Sequence, residues 1–231
     1  MKAYCITILA DEVSANGYET LVKSSKKVGN KFKIEKFPAC IPKFVEAHMK
    51  YLRLEWTYPW QGERIDMKSG LTLRAYPTSV KEKRIACFLS HYQLWEKAVS
   101  LVEPILVLEH DAMFTQKLEP KYILDSDYCI VGINDPRGAT RKAGEYFMQI
   151  ANDVQRVRPV PKIDTFNVPQ GLAGNSAYII KPEGAQRLID AAKNYGAWPN
   201  DALMCYQLIE NLGVTNTFYT KVQGLRSTTT V

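Results

Sequence analysis

The sequence predicts an α/β domain in which helices flank a mixed, mostly parallel sheet. Strand-like and helix-like segments alternate from the N-terminus, as they do in folds with parallel strand pairs. Residues 105–108 form an uninterrupted aliphatic run, which is typical of a central strand buried on both faces. With 231 residues and no marked change in composition, the chain fits a single domain spanning residues 1–231.

The first elements follow from short apolar patterns. Residues 4–9 alternate and then yield to Asp11, which predicts a strand with a polar loop after it. A helix over residues 17–28 ends at a Gly-Asn pair. Residues 32–37 alternate apolar and charged side chains, which predicts a strand with one solvated face. Signals are mixed over the next forty or so residues, with a helix predicted near 43–54.

The longest predicted helix starts at a capping box, in which Ser79 and Glu82 each satisfy a backbone N–H at the helix start. It ends before Pro104. His91 lies in a row beside the apolar stripe of this helix, where a histidine is either a hydrogen-bonded core residue or a functional group. The stripe consists of Ile85, Phe88, Leu89, Tyr92, Trp95, Val99 and Val102.

The second half continues the alternation. Residues 128–133 and 177–180 are predicted strands, and Pro182 opens the helix that follows the latter. The charged and weakly patterned residues 138–161 predict a mobile loop. A last helix is predicted over residues 200–212, before Gly213.

Composition limits the class of protein. Hydrophobic residues at 46% and charged residues at 23% are ordinary for a soluble globular domain. No segment is apolar for long enough to span a bilayer, so we expect any membrane contact to be peripheral. The N-terminal apolar run is too short for a signal peptide. We therefore expect a cytoplasmic location, in the host cytoplasm if a virus encodes the chain.

The cysteines predict free thiols in a reducing compartment. They are odd in number, widely separated and without a Cys-x-x-Cys pair. Since they do not cluster in sequence with the three histidines, we expect no zinc site. The five are Cys5, Cys40, Cys87, Cys129 and Cys205.

The net charge of +6 is unevenly distributed. Two interpretations stay open: solvated faces, or surfaces that bind a polyanion such as nucleic acid, an anionic glycolipid or a membrane. One basic stretch comprises Lys23, Lys26, Lys27, Lys31, Lys33, Lys36, Lys43, Lys50 and Arg53, and the other comprises Arg137, Arg141, Lys142, Arg156, Arg158 and Lys162.

Acidic residues follow several of the predicted strands. Glu109, His110 and Asp111 come directly after the aliphatic run, and two carboxylates at this spacing suit Mg²⁺ or Mn²⁺ beside a diphosphate. Taken alone, the same residues fit an ordinary polar turn. Asp11 and Asp135 also follow strands. Because open α/β sheets bind ligands at the carboxyl ends of strands, the clustering favours a nucleotide site.

Three ordered blocks of sequence stand out in the chain. They are R-I-A-C-F-L-S-H from Arg84 with Trp95 after it, I-L-V-L-E-H-D-A from Ile105, and G-N-S-A-Y-I-I from Gly174 with Pro199-Asn200-Asp201 after it. Their order and spacing are more specific than any single block. Together, over residues 84–114 and 171–204, they resemble glycosyltransferase family 25, which includes lipopolysaccharide and collagen galactosyltransferases.

The resemblance implies a GT-A (Rossmann-like) fold, a UDP-sugar donor, an Mn²⁺ or Mg²⁺ ion, and transfer of a hexose (or pentose) with inversion. Glu109 and Asp111 match the motif that holds metal and nucleotide. Asp201 matches an acidic residue that is a candidate catalytic base, with a helix N-terminal acid as the alternative. Ser90 and His91 either orient the metal motif or touch the donor. The candidate donor-binding residues are Arg84, Ser90, His91, Asp135, Gly174 and Asn175, and a turn role stays open for Asn175.

His110 stands where the family has aspartate. It either points away, coordinates the metal or weakens metal dependence. The predicted acceptor is a glycan or its lipid-linked precursor, or a hydroxymethylated base in DNA, as in viral DNA modification. A further hypothesis is a catalytically inactive domain that binds a nucleotide sugar or nucleic acid.

Overall fold

A computed structural model describes residues 1–138, 142–172 and 174–225. The strands are β1 (Lys2–Thr7), β2 (Ile34–Pro38), β3 (Glu63–Ile65), β4 (Thr72–Arg74), β5 (Ile105–Glu109), β6 (Ala112–Phe114), β7 (Ile130–Gly132), β8 (Val157–Pro159), β9 (Ala177–Ile180), β10 (Leu212–Thr215) and β11 (Thr220–Val222). The helices are α1 (Glu12–Lys27), α2 (Val45–Leu52) after a 3₁₀ turn at Pro42–Phe44, α3 (Lys81–Leu101), α4 (Pro120–Leu124), α5 (Ala143–Ala151), α6 (Pro182–Tyr195) and α7 (Asn200–Leu203).

Seven strands form one mixed sheet in the order β2-β1-β5-β9-β7-β10-β8. Parallel pairs join β1 to β2, β1 to β5 and β7 to β10, whereas β9 and β8 run against their neighbours. Most strands therefore point the same way, and the predicted α/β fold with a mostly parallel mixed sheet is confirmed. Two short antiparallel ribbons, β3 with β4 and β6 with β11, lie outside this sheet.

The core lies on both faces of the sheet, and β5 shows how. Ile105 and Val107 pack into the cluster that contains α3 and α6, while Leu106 and Leu108 pack into the cluster on the α1 face. All four side chains are fully buried. This is why the strand is an unbroken aliphatic run, since a central strand has no solvated face. The sheet thus presents the residues after β5 at a rigid edge.

The helix starts differ from the predicted ones. Asp11 caps α1, accepting from the Ser14 N–H at 2.7 Å, so this helix begins five residues before the predicted start. In α3 the N-cap is Val80, so the predicted capping box at Ser79 is one residue out of register. Buried residues lie on most sides of α3, because it packs against both the sheet and α6. Among the described residues, no helix has the length and apolarity needed to cross a membrane.

Two segments of the second half depart from the predictions. The predicted loop over 138–161 holds α5 and β8 in its described part, because α5 buries Tyr146 and Ile150 against the domain. The predicted helix over 200–212 is limited to α7. It ends there because the Tyr206 N–H donates to the Gln170 carbonyl, at 2.9 Å, instead of continuing the helix. Gly171 allows this contact, since a Cβ there would lie 1.9 Å from the Met204 carbonyl oxygen.

Candidate functional site

A cleft opens at the carboxyl ends of β1, β2 and β5, with α3 as its other wall. Ile8 and Cys40 follow β1 and β2 and line one side. Cys87 and His91 from α3 and Glu109 from the end of β5 line the other. Parallel strands ending at one edge of an open sheet create such a crevice, and ligands of α/β proteins bind there. The sheet topology therefore brings Glu109 and His110 of the predicted metal motif to a concave surface.

A chain of hydrogen bonds fixes Glu109. The Trp95 indole donates to the Tyr178 hydroxyl at 3.0 Å, this hydroxyl lies 2.8 Å from His91 Nδ1, and His91 Nε2 lies 2.9 Å from Glu109 Oε1. An ionised carboxylate only accepts, so neutral His91 carries its proton on Nε2 and accepts from Tyr178 at Nδ1. His91 and Tyr178 are fully buried. His91 is therefore both a core residue and the support that aims Glu109 at the cleft.

Glu109 and Asp111 differ in their electrostatic surroundings. Burial raises the pKa of Glu109, but the hydrogen bond from His91 and the nearby positive charge, that of Arg84 included, outweigh it and leave the pKa lowered. Burial and, after it, the negative charge of Glu109 together raise the pKa of Asp111 to about 7. The buried Oδ1 of Asp111 has no hydrogen-bond partner among the described residues. A cation beside this pair would satisfy the acceptor and remove the repulsion.

His110 packs inward at the edge of the cleft. Its side chain is buried, and a Cβ on Gly17 of α1 would lie 2.6 Å from its carbonyl oxygen and 3.2 Å from its ring Cδ2. Burial lowers the pKa of His110, and the charges of Glu109 and Asp11 oppose this. In the described part of the chain, the ligand atoms close enough to share an ion include Glu109 but not His110. Its predicted role as a metal ligand stays a prediction.

Arg84 and Asp201 lie near the Glu109 end of the cleft. Asp201 is open to solvent, but the surrounding protein desolvates it and raises its pKa, and the positive charge of Arg84 opposes the shift. Arg84 also lowers the pKa of Glu109, so it lies within electrostatic reach of both carboxylates. Its Nη2 donates to the Pro77 carbonyl at 3.2 Å, while the buried Nε has no partner within the described ranges. This leaves a cationic donor for an anionic ligand.

Asn175 is buried with its hydrogen-bonding capacity unused. Neither its amide nitrogen nor its amide oxygen has a partner among the residues that the structure describes, and the same holds for Ser176 Oγ. The Ser176 carbonyl accepts from the Glu109 N–H at 2.8 Å, so both residues adjoin the end of β5. Gly174 precedes them in the left-handed region, with φ 84°. Because leaving buried polar atoms unpaired costs about 1–3 kcal/mol each, a ligand contact by Asn175 would be favourable, and its donor-binding role stays a prediction.

Two predicted donor-binding residues are engaged elsewhere. Ser90 is buried, donates to the Ala86 carbonyl at 2.7 Å and accepts from the Cys40 N–H at 2.9 Å, so it ties α3 to the end of β2. Asp135 pairs with Arg137 at 2.7 Å. In the sheet β9 separates its strand, β7, from β5, and its N–H donates to the Thr220 carbonyl of β11 at 2.7 Å. Ser90 is thus a structural part of the cleft wall, and donor contact by Asp135 stays a prediction.

The structure adds Cys87 and Asn200 to the site. Cys87 Sγ lies 3.7 Å from Asn200 Oδ1, which brings α7 beside the first turns of α3. Ligand atoms of Cys87, His91 and Glu109 all lie within 4.8 Å of one another. The premise that the thiols do not cluster with histidines is therefore wrong. The signal was the Cys-x₃-His spacing, which places two side chains on one face of a helix.

The described basic residues of the middle stretch have acidic or aromatic neighbours. This favours a solvated, ion-paired face over a surface for polyanions. Arg141 lies outside the described residues. The contacts are Arg137 with Asp135, Lys142 with Asp164, Arg156 with Glu119, Arg158 with Asp153, and Lys162 over the Tyr206 ring.

The shifted carboxyl of Asp111 predicts a pH-dependent stability. In an unfolded chain its pKa is about 4, so the folded state binds the proton more tightly, and this contribution to the free energy of unfolding falls as the pH rises from about 4 to about 7. We expect Asp111→Asn to gain about 1–2 kcal/mol over wild type between pH 5 and pH 8 in metal-free buffer. Urea denaturation with chelator at both pH values measures this. An equal pH dependence in both proteins would contradict it.

Comparison with solved structures finds several sugar transferases. The galactosyltransferase LgtC, in complex with donor and acceptor sugar analogs, has a TM-score of 0.47 and 9% identity over 97% of this chain and 87% of that one. The glycosyltransferase GlyE of Streptococcus pneumoniae TIGR4 has a TM-score of 0.40 and 12% identity over 93% and 45%. Mouse xyloside xylosyltransferase 1 has a TM-score of 0.42 and 9% identity over 88% and 79%.

Comparison with models of protein families shows which family the chain belongs to. A search of curated proteins gives no match. The model of glycosyltransferase family 25, described as LPS biosynthesis protein, matches residues 25–204, which is well over half of the chain. This range contains all three blocks on which the predicted resemblance depends. The chain therefore belongs to glycosyltransferase family 25.

Proposed function

We propose that this glycosyltransferase is metal-dependent and inverting, and that it moves a hexose (or pentose) from a UDP-sugar to an acceptor hydroxyl. One observation carries the proposal: Glu109 lines the cleft, and Asp111, within its electrostatic reach, has a buried carboxylate oxygen unpaired within the described ranges, while Arg84 and Asp201 act electrostatically on Glu109 or on each other. A carboxylate pair, a cation and a separate acid are the groups that sugar transfer from a diphosphate needs.

Glu109 and Asp111 would hold the divalent ion, Mn²⁺ or Mg²⁺. When bound, this ion neutralises the charge that develops on the departing UDP. The donor set fits a hard cation, since both groups are carboxylates and one has an unmet acceptor oxygen. His91 fixes the direction of Glu109 from behind. The protein thus supplies an oriented pair of oxygen ligands.

Arg84 and Asn175 are the groups we assign to the donor. Arg84 offers a positive charge and an Nε–H, which suit a phosphate oxygen. Asn175 offers a buried amide with both a donor and an acceptor unused among the described residues, which suits a sugar hydroxyl. Both adjoin the metal motif, so they would contact neighbouring parts of one ligand.

Asp201 is the group we assign as catalytic base. Its carboxylate takes the proton from the acceptor hydroxyl as that oxygen bonds to the anomeric carbon, and the bond from this carbon to the UDP oxygen breaks with its electron pair leaving on UDP. A single displacement of this kind inverts the anomeric centre. The raised pKa of Asp201 brings it closer to that of a proton acceptor at neutral pH.

Donor turnover tests the proposal. UDP release from UDP-galactose and from UDP-glucose is measured with Mn²⁺, with Mg²⁺ and with chelator. We expect release with at least one donor, and we expect the chelator to abolish it. If neither donor is bound or cleaved, or if cleavage is the same with chelator, the proposal is wrong. Any turnover removes the hypothesis of an inactive binding domain.

The acceptor we propose is a glycan or a lipid-linked glycan. The ion-paired state of the middle basic stretch argues for it, because a DNA-binding surface needs cations available to phosphates. Transfer of labelled sugar is measured to oligosaccharides and to hydroxymethylated duplex DNA. If the labelled sugar appears on the DNA and not on the oligosaccharides, the acceptor is DNA and this proposal is wrong.

The support behind Glu109 gives a further prediction. Tyr178→Phe removes the donor to His91 Nδ1, so Glu109 loses its fixed direction, and we expect kcat/KM to fall about 10–100-fold with weaker Mn²⁺ affinity. Steady-state kinetics at several Mn²⁺ concentrations measure both. Tyr92→Phe is the matched control, because it removes a hydroxyl from another buried tyrosine, one that lies within α3. Similar losses in both variants would point to a general packing defect.

A further inference from the structure

Cys87, His91 and Glu109 form a cluster of three different ligand types. Cys87 and His91 are four residues apart on α3, so their side chains lie one above the other on one helix face. Glu109 reaches the same place from the end of β5. Their ligand atoms lie within 4.8 Å of one another, so small side-chain movements would bring all three to one small cation.

We propose that these three residues bind a borderline-soft divalent cation of the Zn²⁺ or Co²⁺ class, with an open fourth position toward the cleft. A sulfur, a nitrogen and an oxygen donor are the ligand types of such ions, whereas Mg²⁺ and Mn²⁺ favour oxygen. The site is distinct from the Glu109 and Asp111 pair because it takes its other ligands from α3. It does not depend on the proposed sugar transfer.

The surroundings of His91 favour coordination through Nε2. This nitrogen already faces Glu109 at 2.9 Å, and Nδ1 lies 2.8 Å from the Tyr178 hydroxyl. With a cation on Nε2, the ring proton moves to Nδ1 and is donated to the Tyr178 oxygen, which the Trp95 indole holds in place. A partner on the second ring nitrogen is a general feature of metal-binding histidines.

The cleft gives an ion access from solvent to this cluster of three residues. Cys87 and Glu109 are partly exposed and line the cleft, so an ion can reach them from solvent. Asn200 lies 3.7 Å from Cys87 Sγ on the side of α7. On binding, the ion replaces the hydrogen bond between His91 and Glu109, and the Cys87 thiol releases its proton to solvent. Because Glu109 is shared, this ion and an ion held with Asp111 compete.

Cobalt absorption tests the site on the full chain without any nucleotide. Co²⁺ is titrated into the metal-free protein, and we expect a thiolate-to-cobalt charge-transfer band together with strong visible bands of a four-coordinate ion. Cys87→Ser is expected to remove the charge-transfer band and weaken Co²⁺ binding about tenfold or more. Cys40→Ser is the matched control, since Cys40 lines the same cleft and lies 3.2 Å from His48. We expect its spectrum to match that of wild type.

Two further measurements make the outcome decisive. X-ray absorption of the unmodified chain loaded with Zn²⁺ is expected to show one sulfur at about 2.3 Å, which needs no variant to fold. Asp111→Asn is expected to keep the cobalt band, so this site and the sugar-transfer proposal can fail separately. A zinc shell without sulfur, or a charge-transfer band that survives in Cys87→Ser, would overturn the inference.

Discussion

Asp111→Asn is expected to lower the kcat for UDP-sugar turnover by about 10²–10³-fold. The substitution keeps the shape of the side chain but removes the negative charge, and with it one of two ligands proposed for the divalent ion. Glu109 stays in place, because its support from His91 and Tyr178 does not involve Asp111. The loss should therefore reflect the ion and not a disordered cleft. UDP release at saturating donor over a range of Mn²⁺ concentrations measures it.

An exposed carboxylate elsewhere in the chain provides the control for Asp111→Asn. Asp127→Asn removes an exposed carboxylate just before the amino end of β7, at the edge of the sheet opposite to the cleft, and should leave turnover unchanged. Excess Mn²⁺ should restore part of the activity of Asp111→Asn if the effect is on ion affinity. Wild-type activity in Asp111→Asn, at Mn²⁺ levels that do not saturate wild type, would remove Asp111 from the metal site.

Much of the fold could be predicted because its signals are local. Strand β9 covers residues 177–180, as predicted, since four buried residues in a row precede a proline that starts the next helix. Strand β5 was equally predictable, because its aliphatic residues follow one another directly in the sequence. By contrast α7 is short because Gly171 lets another segment approach Met204, and this contact lies more than thirty residues away in sequence. Periodicity within one segment contains no information of that kind.

The candidate site shows the same contrast between local signals and contacts distant in sequence. The sequence predicted Glu109 and Asp111 from their place after an aliphatic strand, and the structure puts Glu109 in the lining of the cleft, with Asp111 within its electrostatic reach. It could not predict that Tyr178 holds His91, because 87 positions separate the two residues. Asp135 shows what the position of a residue after a strand leaves open. Following a strand places a residue at the right edge of the sheet, but the strand order decides how far along that edge it lies.

Asp201→Asn should produce the other large effect, a fall in kcat/KM of about 10²–10⁴-fold. The alternative role for Asp201, stabilising the N-terminus of α7, predicts something different. An acid that served mainly to stabilise a helix terminus would have a lowered pKa, since the helix dipole favours its charged form. Desolvation by the surrounding protein instead raises the pKa of the solvent-exposed Asp201, although the charge of Arg84 and the N–H groups of Asp201 and Ala202 act in the opposite direction. The charged form is thus disfavoured in the fold, so asparagine should not reduce the free energy of unfolding.

Glu183 supplies the matched control for this argument. It is an exposed acid in the first turn of α6, in the same position relative to its helix as Asp201 in α7. Glu183→Gln should cost about 0.3–1 kcal/mol of stability with full activity, whereas Asp201→Asn should keep its stability and lose transfer while still binding UDP. If Asp201→Asn is destabilised like Glu183→Gln and stays active, Asp201 is a helix-terminal acid.

The pH dependence of kcat/KM tests the direction of the pKa shift of Asp201. A base must be ionised, so kcat/KM falls below the pKa of Asp201, and this limb should lie above the ordinary range of an aspartate. The positive charge of Arg84 lowers that pKa. Arg84→Gln should therefore move the acid limb to higher pH, in addition to weakening donor binding. A limb that stays in place in Arg84→Gln, or that persists unchanged in Asp201→Asn, would assign the ionisation to a different group.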